Sequence, residues 1–281
     1  MKTKLTIVAA LAAAVLAGPA VAKDYKSITI ATEGAYKPWN FKDASGKLVG
    51  FEIDFAEELC KRMGIKCKIV EQAWDGIIPS LKAGKYDAII AGMSITEKRK
   101  KVITFSRDYL AGGGSFAVMK SSPIAGLKVM VSKVNLKDIS AAEQGEIDAL
   151  NKALAGKTIG VQTATTHENF VRKYLSKDIK IRTYDTQENL DLDLEAGRVD
   201  AALASMNYWV PLLKTDKGKD FSLLGPHLSG GVFGDGTGSG IRKEDQKLAD
   251  MMSKAITSTL KDGSCATMAT KWFGYDACSQ P

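Results

Sequence analysis

Polar and apolar residues alternate along Ser27-Ile28-Thr29-Ile30-Ala31, the period of a half-buried strand, and the run ends in the turn-rich Gly34-Ala35-Tyr36-Lys37-Pro38. Past Gly50 the apolar residues Phe51, Phe55 and Leu59 recur at helical spacing, with Asp54 and Glu58 among them, and Gly64 supplies a stop. Lys66 to Val70 predicts a second strand, Trp74 to Ala83 a helix ended by Gly84, and Tyr86 to Ile90 a buried third strand. Strands and helices in this alternation favour a mostly parallel sheet covered by helices.

The second half repeats the order: strand Thr158 to Val161, helix Thr166 to Tyr174, strand Ile179 to Tyr184, helix Gln187 to Ala196, strand Val199 to Leu203. Laid on one another, the segments Leu81 to Gly92 and Leu194 to Ser205 are identical at six of twelve positions. Each copy reads as a helix end, a glycine cap and a strand, which predicts two similar sheet units facing one another; chance likeness of a common motif is the plain alternative. Ala111-Gly112-Gly113-Gly114 and the stretch Gly234 to Gly240 flank the second unit. Read as crossings between lobes, they divide the chain into a discontinuous first lobe, 23–111 and 239–281, and a second lobe, 112–238. Ordinary loop chemistry is the other reading of these glycines.

Length agrees with two lobes, since 281 residues exceed what one compact core usually holds. Hydrophobic residues at 45% and charged residues at 25% fit a water-soluble globular protein and exclude disorder or a multi-span membrane protein. The formal net charge of +7 is too small and too dispersed to imply nucleic acid. Lys2 and Lys4, the apolar run Ile7 to Gly18 and the small residues Ala20-Val21-Ala22 form an export signal over 1–22, cleaved before Lys23. Pro19 follows Leu16-Ala17-Gly18 where a lipoprotein leader would have cysteine, so a freely diffusing, periplasmic product is expected. In that oxidising compartment the cysteines fall into two close pairs, Cys60 with Cys67 and Cys265 with Cys278, and pairing of neighbours is the simplest connectivity. A four-thiolate metal site is the alternative, but neither spacing is the short gap usual for zinc.

Ligands of open parallel sheets collect beyond the carboxyl ends of strands, which selects Glu33 to Trp39, Trp74, Ala91 to Arg99, Gln162 to Thr166, and Ser205 to Asn207. Ala91-Gly92-Met93-Ser94 leaves a strand toward a helix start, and Arg99 one turn in offers a fork to a carboxylate shared with Ser94. Thr163, Thr165 and Thr166 open the opposing helix, where free amides and hydroxyls suit an anion, although a helix cap alone explains them. Tyr36, Trp39 and Trp74 offer faces for a guanidinium or an aliphatic chain, or else pack at the rim. Glu33 can accept from a distal cation. Enzyme signatures fail. Gly156-Lys157-Thr158 lacks the first glycine of a phosphate loop, Ser258-Thr259-Leu260-Lys261 lacks companion motifs, and His167 and His227 have no metal-ligand pattern around them.

Tyr36-Lys37-Pro38-Trp39, Gly50-Phe51-Glu52-Ile53-Asp54, Ile78-Pro79-Ser80-Leu81, Ser94-Ile95-Thr96-Glu97-Lys98-Arg99 and Ile241-Arg242-Lys243-Glu244-Asp245 together resemble the periplasmic solute-binding proteins of polar amino-acid ABC transporters, from Ile28 to Phe273. The Cys60 to Cys67 pairing is similar to that of the basic amino-acid members. The resemblance implies an α/β, two-lobed periplasmic binding protein fold, two parallel-type sheet lobes joined by two crossing segments. It implies a monomer without cofactor or catalysis that presents its ligand to an ABC permease in the inner membrane. It implies that Arg99 and Ser94, with Thr165 and Thr166, hold the ligand carboxylate, that Tyr36 and Trp74 stack on its side chain, and that Glu33 faces the distal charge.

Departures narrow the ligand. Members that hold a free amino acid place an aspartate for the α-ammonium where this chain has Ser205, and often serines where it has Ala91 and Gly92. Ala91-Gly92-Met93, Trp74, Ser205 and the stretch Ser121 to Ala155 resemble the opine-binding branch, whose ligands are amino acids alkylated by a keto acid. Gln162, Thr163, Ser205 or Asn207 then meet the second carboxylate. An octopine-like or nopaline-like opine is expected first and arginine second. The rivals are an enzyme of the same fold resembling cyclohexadienyl dehydratase, and a loaded receptor that engages a chemoreceptor.

Overall fold

The computed structural model describes residues 24–279; the export signal expected over 1–22 lies outside the described residues. The chain opens with β1 (Ser27–Thr32) and a small antiparallel sheet of β2 (Ala35–Tyr36), β3 (Asn40–Lys42) and β4 (Leu48–Val49). Helix α1 (Phe51–Met63) follows, then β5 (Lys66–Glu71), a 3-10 turn at Trp74–Gly76, α2 (Ile77–Lys82), β6 (Ala88–Ile89), α3 (Glu97–Lys100) and β7 (Thr104–Leu110). Next come β8 (Gly114–Met119), β9 (Lys133–Asn135), α4 (Ala141–Leu154), β10 (Thr158–Gln162), α5 (Thr166–Tyr174), β11 (Lys180–Tyr184), α6 (Gln187–Glu195), β12 (Ala201–Ala204), α7 (Met206–Leu212) and β13 (Phe221–Ser229). A 3-10 turn at Gly231–Phe233 leads to β14 (Thr237–Ile241), α8 (Gln246–Lys261) and α9 (Ser264–Phe273).

Two larger sheets result, ordered β5-β1-β6-β14-β7 and β11-β10-β12-β8-β13-β9. The strands of each predicted unit pair in parallel, β1 with β5 and β6, and β10 with β11 and β12. The crossing strands add antiparallel pairs, β14 with β6 and β7, and β8 with β12 and β13, so both sheets are mixed. Each sheet is covered on both faces. The first packs Phe51, Phe55, Leu248, Met252 and Phe273 on one side and Trp74, Ile77 and Leu81 on the other. The second packs Ile147, Leu150 and Phe170 on one side and Leu190, Leu194 and Trp209 on the other.

The internal repeat has a structural meaning. Gly84 and Gly197 both take φ near the left-handed region, 75° and 66°, at the ends of α2 and α6. The repeated aspartates then do the same work: Asp87 Oδ2 accepts the Thr29 amide at 2.9 Å, and Asp200 Oδ2 accepts the Thr158 amide at 2.8 Å. Each lobe thereby ties its aspartate to the middle strand of its parallel set, and Ala91-Gly92 and Ala204-Ser205 emerge at equivalent strand ends.

Predicted elements differ in three places, of which the strand expected over Val199 to Leu203 is the mildest, running Ala201–Ala204. The helix expected from Trp74 begins as a 3-10 turn, because Pro79 has no N–H for the Asp75 carbonyl and an unbroken α-helix from Trp74 is denied its bond. The strand expected over Tyr86 to Ile90 narrows to Ala88–Ile89, although the Asp87 and Ile90 amides still reach the Thr29 and Ala31 carbonyls. Disulfides join Cys60 to Cys67 and Cys265 to Cys278, with Cα separations of 6.1 and 6.2 Å. Among the described residues, no helix is long and apolar enough to cross a membrane.

Candidate functional site

The carboxyl ends of the two parallel sets face one another, and between them lies a cavity of about 540 Å³, the part open to solvent included. One wall is built by Glu33, Tyr36, Trp39, Trp74, Ala91, Gly92, Ser94 and Arg99. Gln162, Thr165, Thr166 and Ser205 form the other. The remaining three expected residues are not in its lining: Met93, Thr163 and Asn207. Met93 is fully buried among Ile77, Leu81 and Ile103. The Thr163 amide is bonded to the Tyr184 carbonyl at 2.9 Å, and Asn207 Oδ1 accepts the Tyr275 hydroxyl at 2.5 Å. Ala111, Gly112, Gly113, His167 and Thr237 also line the cavity and were not singled out as ligand contacts.

Arg99 reaches the cavity from a short helix capped by Thr96, whose hydroxyl accepts the Arg99 amide at 3.2 Å. Its Nη1 donates to the Ser94 carbonyl at 3.0 Å, its Nη2 to the Ala164 carbonyl of the other lobe at 3.4 Å, and its Cζ lies 5.2 Å from the Trp74 ring centre. The Trp74 face is therefore shared with a protein guanidinium. Burial pulls the Arg99 pKa down to about 10, which marks a cation that gains from an incoming anion.

Opposite Arg99, the Thr165 hydroxyl caps α5: it accepts the Glu168 amide at 3.1 Å and donates to the Gln162 carbonyl at 2.7 Å. The capping reading of this residue is thus realised in full, and what remains for an anion at this mouth is backbone N–H and the Thr166 side chain. Ala164 just before it is held at φ 55°.

Glu33 is 6% exposed and accepts Gln162 Nε2 from the other lobe at 2.5 Å. Burial pushes its carboxyl up to about 7; the Gln162 bond opposes that shift and the charges of Glu52 and Glu188 add to it. Tyr36 stacks on Tyr208 across the cleft, centroids 4.7 Å apart, and its hydroxyl accepts the Ser205 amide at 3.3 Å. The side chains of Trp39, Trp74 and His167 each carry a buried nitrogen that meets no hydrogen-bond partner among the described residues.

A buried network supports this wall. Glu52 receives the Gly92 amide and Asn40 Nδ2, each at 2.6 Å, together with the Tyr109 hydroxyl. Asn40 Oδ1 in turn accepts the Gly34 amide at 2.7 Å, so one carboxylate sets both the Glu33-Gly34 loop and the Gly92 strand end. Gly50 lets α1 start beneath it: its φ is 128°, and a Cβ there would lie 2.5 Å from the Trp39 carbonyl oxygen.

A cleft between two lobes, with a buried guanidinium and a buried carboxyl that both want a charged partner, defines a solute-binding protein that closes over a small ligand. The family model for bacterial extracellular solute-binding proteins, family 3, matches residues 28–275, and the chain belongs to that family. It is 42% identical over 294 residues to the octopine-binding periplasmic protein of Rhizobium meliloti, covering 98% of this chain and 99% of that one. An ancestral arginine-binding protein bound to arginine is 31% identical with a TM-score of 0.72, over 89% of this chain and 99% of its own. An ancestral amino acid-binding protein, a precursor of cyclohexadienyl dehydratase, is 28% identical with a TM-score of 0.72, over 88% and 96%. The compartment is the periplasm, as for the octopine-binding relative.

Proposed function

We propose that the cleft captures a cationic amino-acid derivative, an octopine-like or nopaline-like opine first and arginine second, and presents it to an ABC permease of the inner membrane. The observation that carries this reading is the convergence of Arg99 and the mouth of α5 on one cavity that also holds Glu33. Arg99 and the α5 amides suit a carboxylate, and Glu33 suits a guanidinium, whose arrival lowers the cost of ionising it. Ser205, at the strand end of the second lobe, is neutral, which favours a substituted α-nitrogen over a free ammonium. The octopine-binding and arginine-binding relatives support the same ligand class.

In this reading residues 23–111 and 239–281 move as one lobe and 112–238 as the other, the protein acts as a monomer, and no bond is made or broken. Calorimetric titration with arginine, octopine, nopaline, glutamate and glucose tests it. Heat with octopine or nopaline at the lowest concentration, weaker binding of arginine and none with glucose is the expected order. Silence with every carboxylated compound overturns it. The likeness to a dehydratase precursor, together with a carboxyl near neutrality in the cleft, favours one second reading: turnover of arogenate or prephenate, which absorbance reports directly.

A further inference from the structure

Helix α9 stops at Gly274, which takes a left-handed φ of 80°, and residues 274–279 leave it as a strap with no helix or strand of its own. The strap reaches both lobes. At its far end Cys278 bridges Leu110 and the Ser279 amide donates to the Tyr109 carbonyl at 2.9 Å, so it is fastened to the last two residues of β7, directly before the crossing at Ala111-Gly112-Gly113. Nearer α9, the Tyr275 hydroxyl donates to Asn207 Oδ1 of the second lobe at 2.5 Å. Asn207 stands in the first turn of α7, and its amide donates at 3.2 Å to the hydroxyl of Ser205, a residue of the cavity wall. A Cβ on Gly274 would lie 3.3 Å from Lys214 Nζ, just past the other end of that helix. On the first-lobe side the Tyr275 ring lies 6.4 Å from that of Phe273, which meets the ring of the wall residue Trp39 at 5.4 Å. The strap thus backs both walls of the cleft and lines neither.

Ordering residues 274–279 costs backbone entropy that their bonds to β7 and one tyrosine hydroxyl do not repay alone. The covalent bond from Cys278 to Cys265, in the first turn of α9, removes much of that cost. The other disulfide has no such part. Cys60 lies near the end of α1 and Cys67 in β5, a strand already paired with β1 along its whole length, so breaking that bond frees no segment. We propose that the Cys265–Cys278 bond is a redox-sensitive control of lobe closure: intact, it holds the strap where Tyr275 grips the second lobe, and its reduction releases the strap and lowers affinity for whatever the closed cleft holds. The proposal rests on the reading that the cleft closes over a ligand.

Cys265 is fully buried and Cys278 only partly. A thiolate of an incoming dithiol therefore attacks Cys278 Sγ; the disulfide breaks, Cys265 leaves as a thiolate and takes a proton, and the second thiol of the dithiol displaces Cys278 from the mixed disulfide. Two electrons pass to the protein, which gains two thiols, while the dithiol ends as a disulfide. Freed of its tether, the strap no longer presents Tyr275 to Asn207. The closed form loses that bond, the open form has no such bond to lose, and the closing equilibrium shifts toward open. Because the strap touches no ligand, every ligand loses alike.

The experiment is titration calorimetry of arginine and octopine on oxidised wild type, Cys265→Ala/Cys278→Ala, Tyr275→Phe and the three changes combined; the Cys60–Cys67 bond stays in all of them, and thermal melts check the fold. Loss of the C-terminal bond is expected to weaken both ligands by about fivefold. Added to Tyr275→Phe it is expected to change affinity by less than about twofold, since both act through one contact. Cys60→Ala/Cys67→Ala, which keeps only the C-terminal bond, is then titrated with dithiothreitol, its thiols counted by alkylation and mass and its fold followed by circular dichroism. Two thiols are expected to appear with the fold intact, affinity to fall by the same factor, and reoxidation to restore it; this arm reads the contact even where the C-terminal alanine pair fails to fold. Unchanged affinity without the bond, a loss confined to one ligand, effects of the bond and of Tyr275 that add in full, or a bond that yields only as the protein unfolds overturns the proposal and leaves the disulfide a structural brace. Oxidised wild type that binds neither compound removes the wider reading and this one with it.

Discussion

Arg99 and Glu33 carry opposite charges in one cavity, yet each is displaced from its ordinary pKa by burial, the arginine down to about 10 and the carboxyl up to about 7. Each is therefore destabilised in the closed cleft until a partner of the other sign arrives. Arg99→Ala leaves a ligand carboxylate without its fork, and affinity for every carboxylated ligand is expected to fall at least about 100-fold, since stripping one partner from a buried ion pair costs several kcal/mol. Arg99→Lys restores the charge without the planar fork and is expected to recover only part of that loss, as titration calorimetry will show. For Glu33 the sign runs through the proton count. Its folded pKa of about 7 lies above the ordinary 4.5, so the folded state holds the extra proton between those values. Stability falls as pH rises through that window, and the full penalty, roughly 3 kcal/mol, is present above about pH 7. Glu33→Gln removes the penalty and can keep the bond from Gln162. Its melting temperature without ligand is expected to exceed wild type at pH above 7 and to match it below about 4.5. A variant less stable than wild type at both ends would refute the assignment.

At the scale of elements, the segment after α9 turns back over β7. Cys278 bridges to Leu110, the Ser279 amide reaches the Tyr109 carbonyl at 2.9 Å, and the Cys265–Cys278 disulfide closes the loop across a separation of 13 residues. Loop-closure entropy assigns roughly 3 kcal/mol to that bond and somewhat less to Cys60–Cys67, whose separation is 7. Removing both cysteines of the C-terminal pair by Cys265→Ala and Cys278→Ala is expected to lower the urea-unfolding free energy by about that amount. A change under about 1 kcal/mol would place the stabilisation elsewhere. Such pairings were legible because short cysteine gaps in an exported chain admit few connectivities. The parallel units and the internal repeat were legible because their signal is local: period, glycine stop, aspartate, strand. Individual site residues were less so. The strand-end rule marks a stretch and not which side chains turn inward, so Gly92 and Ser94 reach the cavity while Met93 between them enters the core. Asn207 stands on the right helix but spends its carbonyl oxygen on Tyr275, a contact 68 residues away that no local pattern announces. His167 has no local pattern that marks it, and its place in the wall depends on the space over Gly114, which is tertiary.

For the whole molecule, direct bonds between the lobes and bonds through a ligand draw on the same closing equilibrium. The two crossings run side by side, with a Cβ on Gly112 only 3.2 Å from the Gly236 Cα. Gly113, at φ 117°, packs so that a Cβ would meet the Leu228 carbonyl oxygen at 2.3 Å. Around these crossings the closed form is held by Gln162 on Glu33, Arg99 on Ala164, Tyr36 on Tyr208 and Tyr275 on Asn207. Opening breaks those contacts, and a ligand that bonds to both walls favours closure through its own bridging bonds. Tyr275 does not line the cavity, which makes it a clean probe of closure. Tyr275→Phe removes one hydrogen bond between the lobes, worth about 1 kcal/mol, and is expected to weaken arginine and opine alike by about fivefold. Small-angle scattering is expected to show the variant contracting on ligand addition to the same radius as wild type, but only at higher ligand concentration. If one ligand weakens and the other does not, Tyr275 acts on the ligand and not on the hinge. If neither changes while the free protein scatters as the compact form, the closed state is already the ground state, and selection of closure by ligand is wrong for this protein.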